Sequence, residues 1–442
     1  MILRVLPSTL SADVVWAPPS KSLMQRVVAL ATLADGTTMI RRPSESDDCT
    51  HALRMAAQLG ADIELGEDAL AIHGRFPLAP RESTLNPGES GLGLRMFGAL
   101  ASLHAGPLAL ARQGTLRGRD ISSMREILEP FGVSVSANSD NDPVLQGPLR
   151  GADASLDAAG SSQLLTGLFC ALPHAEGNSL LNLHGVVSRP YLDMTLEVLE
   201  DMGIHVHVVE DDPDNRRMLV SIPGGQRATP LDMTVDGDWS AAAFLLVLGA
   251  LTSSHHLDVE GLHSTYSQAD EAVKGAMLFG GCRLAGTDEG VRVLRGAPNA
   301  LNVDLTDSPD LFPPLAALAA FGKKPSTLRG LHRLSNKESD RGKAIQREWA
   351  KAGIRVELNA ADDCMVIHPG TVQPSRMHTH GDHRMAMAAA VFGAAGAATE
   401  IDGAECVAKS WPSFFDDLEA LGVHIQTVSG GTRVPRAEDE LA

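Results

Sequence analysis

Seven basic side chains fall in loops that recur at equivalent places along the chain: Lys21, Arg26, Arg95, Arg119, Arg341, Arg384 and Lys409. Two acids, Asp310 and Glu338, share those loops, which leaves a local excess of five positive charges in a chain of formal net charge −18. A surface this acidic argues against nucleic acid or an anionic membrane as the general partner. Cations gathered in a few loops point instead to small, heavily anionic ligands. Two phosphate monoesters that each carry a carboxylate total roughly −5 to −6 at neutral pH. Arginine suits bidentate contact with such groups and lysine supplies a point charge. The two acids are of the type that carries protons in general acid–base catalysis.

A long repeat positions these loops. The pattern is an amphipathic stretch, a glycine, then alternating apolar residues, as in Phe131-Gly132-Val133-Ser134-Val135 and Ala352-Gly353-Ile354-Arg355-Val356. Its six copies carry Gly60, Gly132, Gly203, Gly281, Gly353 and Gly422, spaced by 72, 71, 78, 72 and 69 residues. A period of that length is one small α/β unit used six times. The glycine reads as the C-cap of an outer helix, and the residues after it as a strand with one buried face. A second helix, rich in Ala and Leu and apolar on most sides, should be buried. Its six starts are Pro19-Ser20-Lys21-Ser22, Gly88-Glu89-Ser90-Gly91, Gly160-Ser161-Ser162-Gln163, Gly237-Asp238-Trp239-Ser240, Ser308-Pro309-Asp310 and Gly381-Asp382-His383-Arg384. Helix N-termini offer free N–H groups and partial positive charge, so converging starts would favour anions. The outer helices are preceded by polar loops 13 residues before the glycine, at Arg119, Gln268, Asp340 and Lys409; the third unit has Ser188-Arg189-Pro190-Tyr191 there. The longest spacing, between the third and fourth units, marks the expected break between two domains of three units each. Asp211–Asn215, just after the third glycine, reads as a hairpin tip.

Composition is that of an ordinary globular chain, with 442 residues, 44% hydrophobic and 21% charged. The five cysteines are odd in number and scattered, which fits reduced thiols in a cytoplasmic protein. The first 20 residues lack the pattern of a targeting segment. The apolar runs Ala241–Leu251 and Met385–Ala398 are too short to span a bilayer. Residues 429–442 are polar and read as a flexible tail. Taken singly, each basic residue is compatible with a solvated charge, Ser-Ser-Gln with a plain cap, and Gly88–Gly93 with a tight turn. His378-Thr379-His380-Gly381-Asp382 could ligate a metal, although Arg384 beside it opposes a cation.

Taken in order, Pro19-Ser20-Lys21-Ser22-Leu23-Met24-Gln25-Arg26, Ser161-Ser162-Gln163, Ser188-Arg189-Pro190-Tyr191, Lys337-Glu338-Ser339-Asp340-Arg341, Gly381-Asp382-His383-Arg384-Met385-Ala386-Met387 and Lys409-Ser410 resemble the 3-phosphoshikimate 1-carboxyvinyltransferases (EPSP synthases) over about residues 10–425. The resemblance implies a two-domain inside-out α/β barrel of the enolpyruvyl transferase type, with six βαβαββ units. The N-terminal domain would be 19–237 and the C-terminal domain 1–18 with 238–428, hinged near Pro18–Pro19 and Asp236–Asp238. It implies enolpyruvyl transfer from phosphoenolpyruvate to the 5-hydroxyl of shikimate 3-phosphate, with no cofactor or metal, and a monomeric protein.

Carried over residue by residue, Lys21 touches both ligands. Ser22, Arg26, Ser161, Ser162, Gln163, Ser188, Tyr191, Asp310 and Lys337 hold shikimate 3-phosphate. Arg119, Arg341, Arg384 and Lys409 hold phosphoenolpyruvate, with Gly91, Gln163 and Arg95 nearby. Asp310 looks like the base on the hydroxyl and Glu338 like the acid on the methylene carbon, with Lys21 as its rival; His383 orients its neighbours. Closure of the two domains would exclude water.

The chain departs from the family in two loops. Glu89 stands where a neutral amide is usual, Leu92 where a Thr is, and Asp120 follows the Arg in place of Pro. These changes predict altered affinity for phosphoenolpyruvate and for glyphosate, which occupies its site. The alternatives are the sibling enzymes acting on UDP-N-acetylglucosamine, disfavoured by Lys21-Ser22 where they carry Lys-Asn and by the lack of Cys in 111–120, and a catalytically silent anion-binding relative. A metal-dependent hydrolase built on His378, His380 and Asp382 is a third.

Overall fold

A computed structural model describes residues 1–66, 69–118, 122–159, 162–335 and 337–429. The described residues form twelve α-helices: α1 (Lys21–Leu33), α2 (Asp47–Gln58), α3 (Gly91–Ala101), α4 (Ser122–Leu128), α5 (Ser162–Ala171), α6 (Arg189–Asp201), α7 (Trp239–Thr252), α8 (Val273–Phe279), α9 (Phe312–Ala320), α10 (Arg341–Lys351), α11 (His383–Ala395) and α12 (Phe414–Ala420). Around them stand six four-stranded sheets, one per repeat.

Each sheet is built the same way. In the first, Asp232–Thr234 runs parallel to Gly36–Arg41, with Met233 opposite Ile40. Gly36–Arg41 runs antiparallel to Ala69–Gly74, with Thr37 opposite His73, and Asp62–Leu65 closes the edge. In the second, third, fifth and sixth sheets the parallel pair is joined through a buried helix, and in every sheet the edge strand follows an outer helix, which gives the βαβαββ order. Three sheets borrow a strand from afar. Asp232–Thr234 opens the first, Val14–Trp16 opens the fourth, and Ile2–Val5 pairs between Thr399–Asp402 and Ile425–Ser429 in the sixth.

The helices α1, α3, α5, α7, α9 and α11 are the buried ones. Their sequences explain this: α7 reads WSAAAFLLVLGALT, apolar on every side, and all but one of its residues are buried. Their starts are capped as the residue types predict. Ser20, Ser90, Asp238 and Asp382 accept the N–H of Leu23, Gly93, Ala241 and Arg384. Close packing of α3 on α5 needs a glycine: a Cβ at Gly167 would lie 2.8 Å from the Arg95 carbonyl oxygen.

All six repeat glycines have positive φ, from 72° at Gly203 to 113° at Gly60, at the ends of the outer helices. That left-handed turn is where glycine costs least. The residue after each one, Ala61, Val133, Ile204, Cys282, Ile354 or Val423, is buried. The strands beyond keep the expected buried face in part: Val135 and Val356 are buried, and Ile63, Leu284 and Ile425 pack against the cores. Each strand is the edge of its sheet, and His207–Asp212 is exposed throughout. In the third and sixth repeats the strand begins only at His207 and Ile425, so Ile204 and Val423 serve as plugs rather than ladder residues. Asp212 and Arg217 are opposed across the expected hairpin tip. The strand Ile425–Ser429 includes the first residue of the expected tail; residues 430–442 lie outside the described residues.

Contacts divide the chain into two units, each with its own apolar core. The first is Pro19–Val235 with Thr265–Ser267; the second is Met1–Pro18, Asp236–Ser264 and the residues from Gln268 on. The short segment joins the first unit through α6. Tyr266 Oη donates to Asp201 at 2.6 Å, and the Ser267 N–H and hydroxyl donate to Glu197 at 2.7 and 2.6 Å.

Candidate active site

In the first unit the N-terminal turns of the buried helices are tied together by side chains. Lys21 opens α1 and donates from Nζ to Asp48 Oδ2 at 2.9 Å, in the first turn of α2. Gln25 Nε2 donates to the Asp48 carbonyl at 2.9 Å and to Ser90 Oγ, the cap of α3, at 3.1 Å. One turn into α3, Arg95 Nη1 donates to the Gly91 carbonyl at 3.1 Å and to Gln163 Oε1 of α5 at 2.7 Å. Ser162, the first residue of α5, is buried.

Arg26, on the same helix as Lys21 and Gln25, centres a second group. It is 2% exposed and donates from Nε to Thr195 Oγ1 at 2.9 Å, from Nη1 to the Ser22 carbonyl at 2.7 Å, and from Nη2 to the Tyr191 carbonyl at 3.0 Å and Thr166 Oγ1 at 3.5 Å. These partners are all neutral. Burial takes its guanidinium down to about 10. Ser188, buried, sits at the start of α6 with φ 53°, a costly conformation for a non-glycine residue. Arg119 and Ser161 lie outside the described residues.

The second unit holds a denser, charged set. Arg341, at the start of α10 and wholly buried, meets three carboxylates: Asp310 at 2.5 Å, Glu338 at 2.7 Å and Asp382 at 2.8 Å. Lys337 and Arg384 reach Asp310 at 3.3 and 3.2 Å, and Lys409 reaches Glu338 at 3.6 Å. Arg384, in the first turn of α11, also donates to Ser240 Oγ of α7 at 2.6 Å and lies 2.9 Å from His383 Nε2. Asp310 lies in the turn Pro309–Leu311 just before α9. The openings of α7, α9 and α11 therefore converge on this cluster. All seven residues expected here, Asp310, Lys337, Glu338, Arg341, His383, Arg384 and Lys409, are brought together.

The cluster's electrostatics follow from burial set against opposite charges. Burial would raise the Asp310 carboxyl, but Arg384, Lys337 and Arg341 override it and hold the group well below the usual carboxylate range. Burial likewise opposes the Arg341 charge, and Asp382, Glu338 and Asp310 override it, raising its pKa well above the ordinary value. Lys337 is lowered by burial, which Asp310 only partly offsets.

Several residues in these clusters carry no signal of their own in the sequence. Asp48 looks like an ordinary acid in a helix first turn, and Ser240 like a helix residue. Asp382 reads as a cap, yet it also fixes Arg341 and accepts from Ser339 Oγ at 3.0 Å. That third carboxylate lowers the local charge excess inferred from the loops. The Glu89 carboxylate accepts from the Thr115 N–H at 3.1 Å and from the Thr115 hydroxyl at 2.7 Å. The His378 and His380 rings are also engaged: His378 Nδ1 accepts from the His380 N–H at 2.9 Å, and His380 Nε2 lies 2.9 Å from Glu348. Among the described residues no group of three His, Cys, Asp or Glu side chains is arranged to hold a metal ion.

The family model described as EPSP synthase (3-phosphoshikimate 1-carboxyvinyltransferase) matches residues 6–418. The chain belongs to the EPSP synthase family. A 3-phosphoshikimate 1-carboxyvinyltransferase of Aeropyrum pernix is 35% identical to it over 430 residues, 97% of each chain. One of Methanosarcina acetivorans is 32% identical over 424 residues, 94% of this chain and 96% of that one. Among solved structures, an EPSP synthase of Acinetobacter baumannii matches with a TM-score of 0.78 at 22% identity, covering 96% of this chain and 99% of its own. The enolpyruvyl transferase NikO of Streptomyces tendae matches at 0.75 and 16% identity, covering 97% and 99%. These structures share the two-domain enolpyruvyl transferase fold with this member of the EPSP synthase family. As a member, the chain is an enolpyruvyl-transferring enzyme of the shikimate pathway whose substrates are phosphoenolpyruvate and shikimate 3-phosphate. No helix among the described residues is long and apolar enough to cross a membrane.

Proposed function

We propose that the two clusters divide the work of the reaction, in which the enolpyruvyl group passes to the 5-hydroxyl of shikimate 3-phosphate and phosphate leaves. Ser22, Arg26, Ser161, Ser162, Gln163, Ser188 and Tyr191 hold shikimate 3-phosphate, joined by Lys337 and Asp310. Arg341, Arg384, Lys409 and Arg119 hold phosphoenolpyruvate, with Gly91, Gln163 and Arg95 nearby, and Lys21 touches both. The protein acts as a monomer in the cytoplasm. The observation that carries this reading is Arg341 locked onto Asp310, Glu338 and Asp382, with Arg384 and Lys409 on the same carboxylates. It supports Asp310 and Glu338 as acid–base groups among cations suited to a small phosphorylated carboxylate.

The residues present account for the chemistry as follows. In the addition step the hydroxyl oxygen bonds to C2 of phosphoenolpyruvate, its proton goes to Asp310, and Glu338 delivers a proton to the methylene carbon. In the elimination step the C2–O bond to phosphate breaks and the methyl group returns a proton, so the two groups reverse roles. The cations position the reactants and stabilise the leaving phosphate. Without ligand, Asp310 is too weak a base, because three cations depress it. An anion on Arg341 and Arg384 competes for those charges and raises Asp310 towards useful basicity. His383 beside Arg384 orients that guanidinium.

The test is phosphate release from purified protein given both substrates, with and without a chelator. Glu338→Ala should lose about 100-fold or more in turnover, the range expected for removing a general acid, and still bind shikimate 3-phosphate. No release from the unaltered protein would refute the reading. A fully active Glu338→Ala would refute the role of that residue, and loss on chelation would favour a metal-dependent chemistry.

A further inference from the structure

The turn that delivers Asp382 and Arg384 to the cluster is strained. His380 has φ 56° and Gly381 has φ 69°, two successive residues in the left-handed region. A non-glycine residue stays there only when its surroundings over-determine it. What holds it is Glu348, on α10 two turns beyond Arg341 and 0% exposed. Its Oε2 accepts the His378 N–H at 2.9 Å and Lys351 Nζ at 2.5 Å, and its Oε1 lies 2.9 Å from His380 Nε2. The His380 N–H in turn donates to His378 Nδ1 at 2.9 Å. The first residue of the turn and its left-handed residue are thus pinned to one buried carboxylate.

The same helix carries Arg341, and the same turn ends in Asp382, which caps α11 and binds Arg341 Nε at 2.8 Å. Arg341 and Arg384 are therefore set against each other by two cross-links between α10 and the turn. Asp382 is the near one and Glu348 the far one. A burial this complete would ordinarily push a glutamate towards neutrality; the bonds from Lys351, the His378 N–H and His380 hold it ionised instead. The ionised, acceptor-only form is what a clamp on one backbone N–H and one imidazole requires.

We infer that Glu348 is a positioning residue for phosphoenolpyruvate, acting through the His378–Asp382 turn to fix Arg384 relative to Arg341. It touches no reacting atom. It rests on the reading that these two arginines take phosphoenolpyruvate. Binding that depends on two guanidinium groups in fixed register is sensitive to shifts of about 1 Å, so loosening the far cross-link weakens that substrate selectively. A purely structural glutamate would lower stability and scale all kinetic constants through the folded fraction alone.

The experiment is steady-state kinetics on Glu348→Ala, Glu348→Gln and Arg384→Ala, with thermal unfolding of each. The expected result is a KM for phosphoenolpyruvate raised about tenfold in Glu348→Ala, with KM for shikimate 3-phosphate within about twofold. Glu348→Gln, which keeps an acceptor for the His378 N–H, should recover most of the loss. Where Glu348→Ala does not fold, His380→Gly tests the same clamp, since it keeps the positive φ and removes the imidazole; a KM for phosphoenolpyruvate raised about threefold is expected. Unchanged KM values in a folded Glu348→Ala, or in His380→Gly if that variant alone is folded, would overturn the inference. So would equal changes for both substrates, or no recovery in Glu348→Gln. If Arg384→Ala also leaves KM for phosphoenolpyruvate unchanged, the reading of the cluster itself fails; if Arg384→Ala raises it and Glu348→Ala does not, only the role of Glu348 fails.

Discussion

The two units solve the same problem of burying an arginine at a helix opening, and they solve it in opposite ways. In the first, Arg26 is surrounded by hydroxyls and carbonyls, and burial lowers its pKa to about 10. In the second, Arg341 is gripped by three carboxylates that raise its pKa well above the ordinary value. A cation held by neutral groups keeps its charge for an incoming anion. A cation held by carboxylates must give up ion pairs when an anion arrives, and those carboxylates then become better bases. The difference fits a first unit that holds a substrate and a second that also moves protons.

The comparison can be broken most directly at its two arginines. Arg341→Ala removes the buried cation that Asp310, Glu338 and Asp382 share, leaving Lys337, Arg384 and Lys409 to offset only the first two, and should cost about 3–5 kcal/mol of stability, with activity lost. Arg26→Ala leaves neutral acceptors unpaired and should cost about 1–3 kcal/mol. Denaturant unfolding of both variants checks the order, and an Arg26 variant that is the less stable of the two would reverse the contrast.

A second asymmetry is His174, 3% exposed in the first unit, with neither ring nitrogen hydrogen-bonded. Burial first, and the nearby Arg227 second, lower its pKa from 6.5 to about 4. The unfolded chain therefore binds a proton that the folded chain refuses, and stability falls as pH drops from 6.5 towards 4. Between pH 6.5 and 5 the loss should be about 1.6 kcal/mol, the slope rising towards about 1.4 kcal/mol per unit as the unfolded imidazole becomes fully charged, and His174→Leu should lack it. The same pH dependence in His174→Leu would assign the acid sensitivity elsewhere.

The smallest expected effect is at Glu89. The sequence places its charge beside an anion site, and two hydrogen bonds from Thr115 hold the carboxylate. Glu89→Asn should therefore change KM for phosphoenolpyruvate and glyphosate inhibition by no more than about threefold, under 1 kcal/mol. A tenfold change would show that the charge is felt at the site.

What the sequence made legible was local. The repeat glycines announce left-handed caps because no other residue adopts that turn as cheaply, and all six do so. The helix starts are readable because a Ser or Asp cap followed by an apolar run has one meaning. Asp310, Glu338, Arg341, Arg384 and Lys409 were visible through family motifs and meet as expected. Ser240 was not, because its contact with Arg384 spans 144 residues and neither side hints at the other. Glu348 was hidden by its neighbours: in Gln346-Arg347-Glu348 it looks like a solvated helix face, and only the turn folded over it makes it buried. Of the edge strands only His207–Asp212 escaped the reading, being exposed throughout where a buried face was expected.

The division of labour between the two clusters is tested most directly by calorimetric binding of shikimate 3-phosphate to Arg26→Lys and Arg384→Lys. Each substitution keeps the charge and removes the planar fork. Arg26→Lys should weaken binding about tenfold, about 1.4 kcal/mol, while Arg384→Lys should stay within about twofold of the unaltered protein. Equal weakening in both variants, or weakening in Arg384→Lys alone, would contradict it.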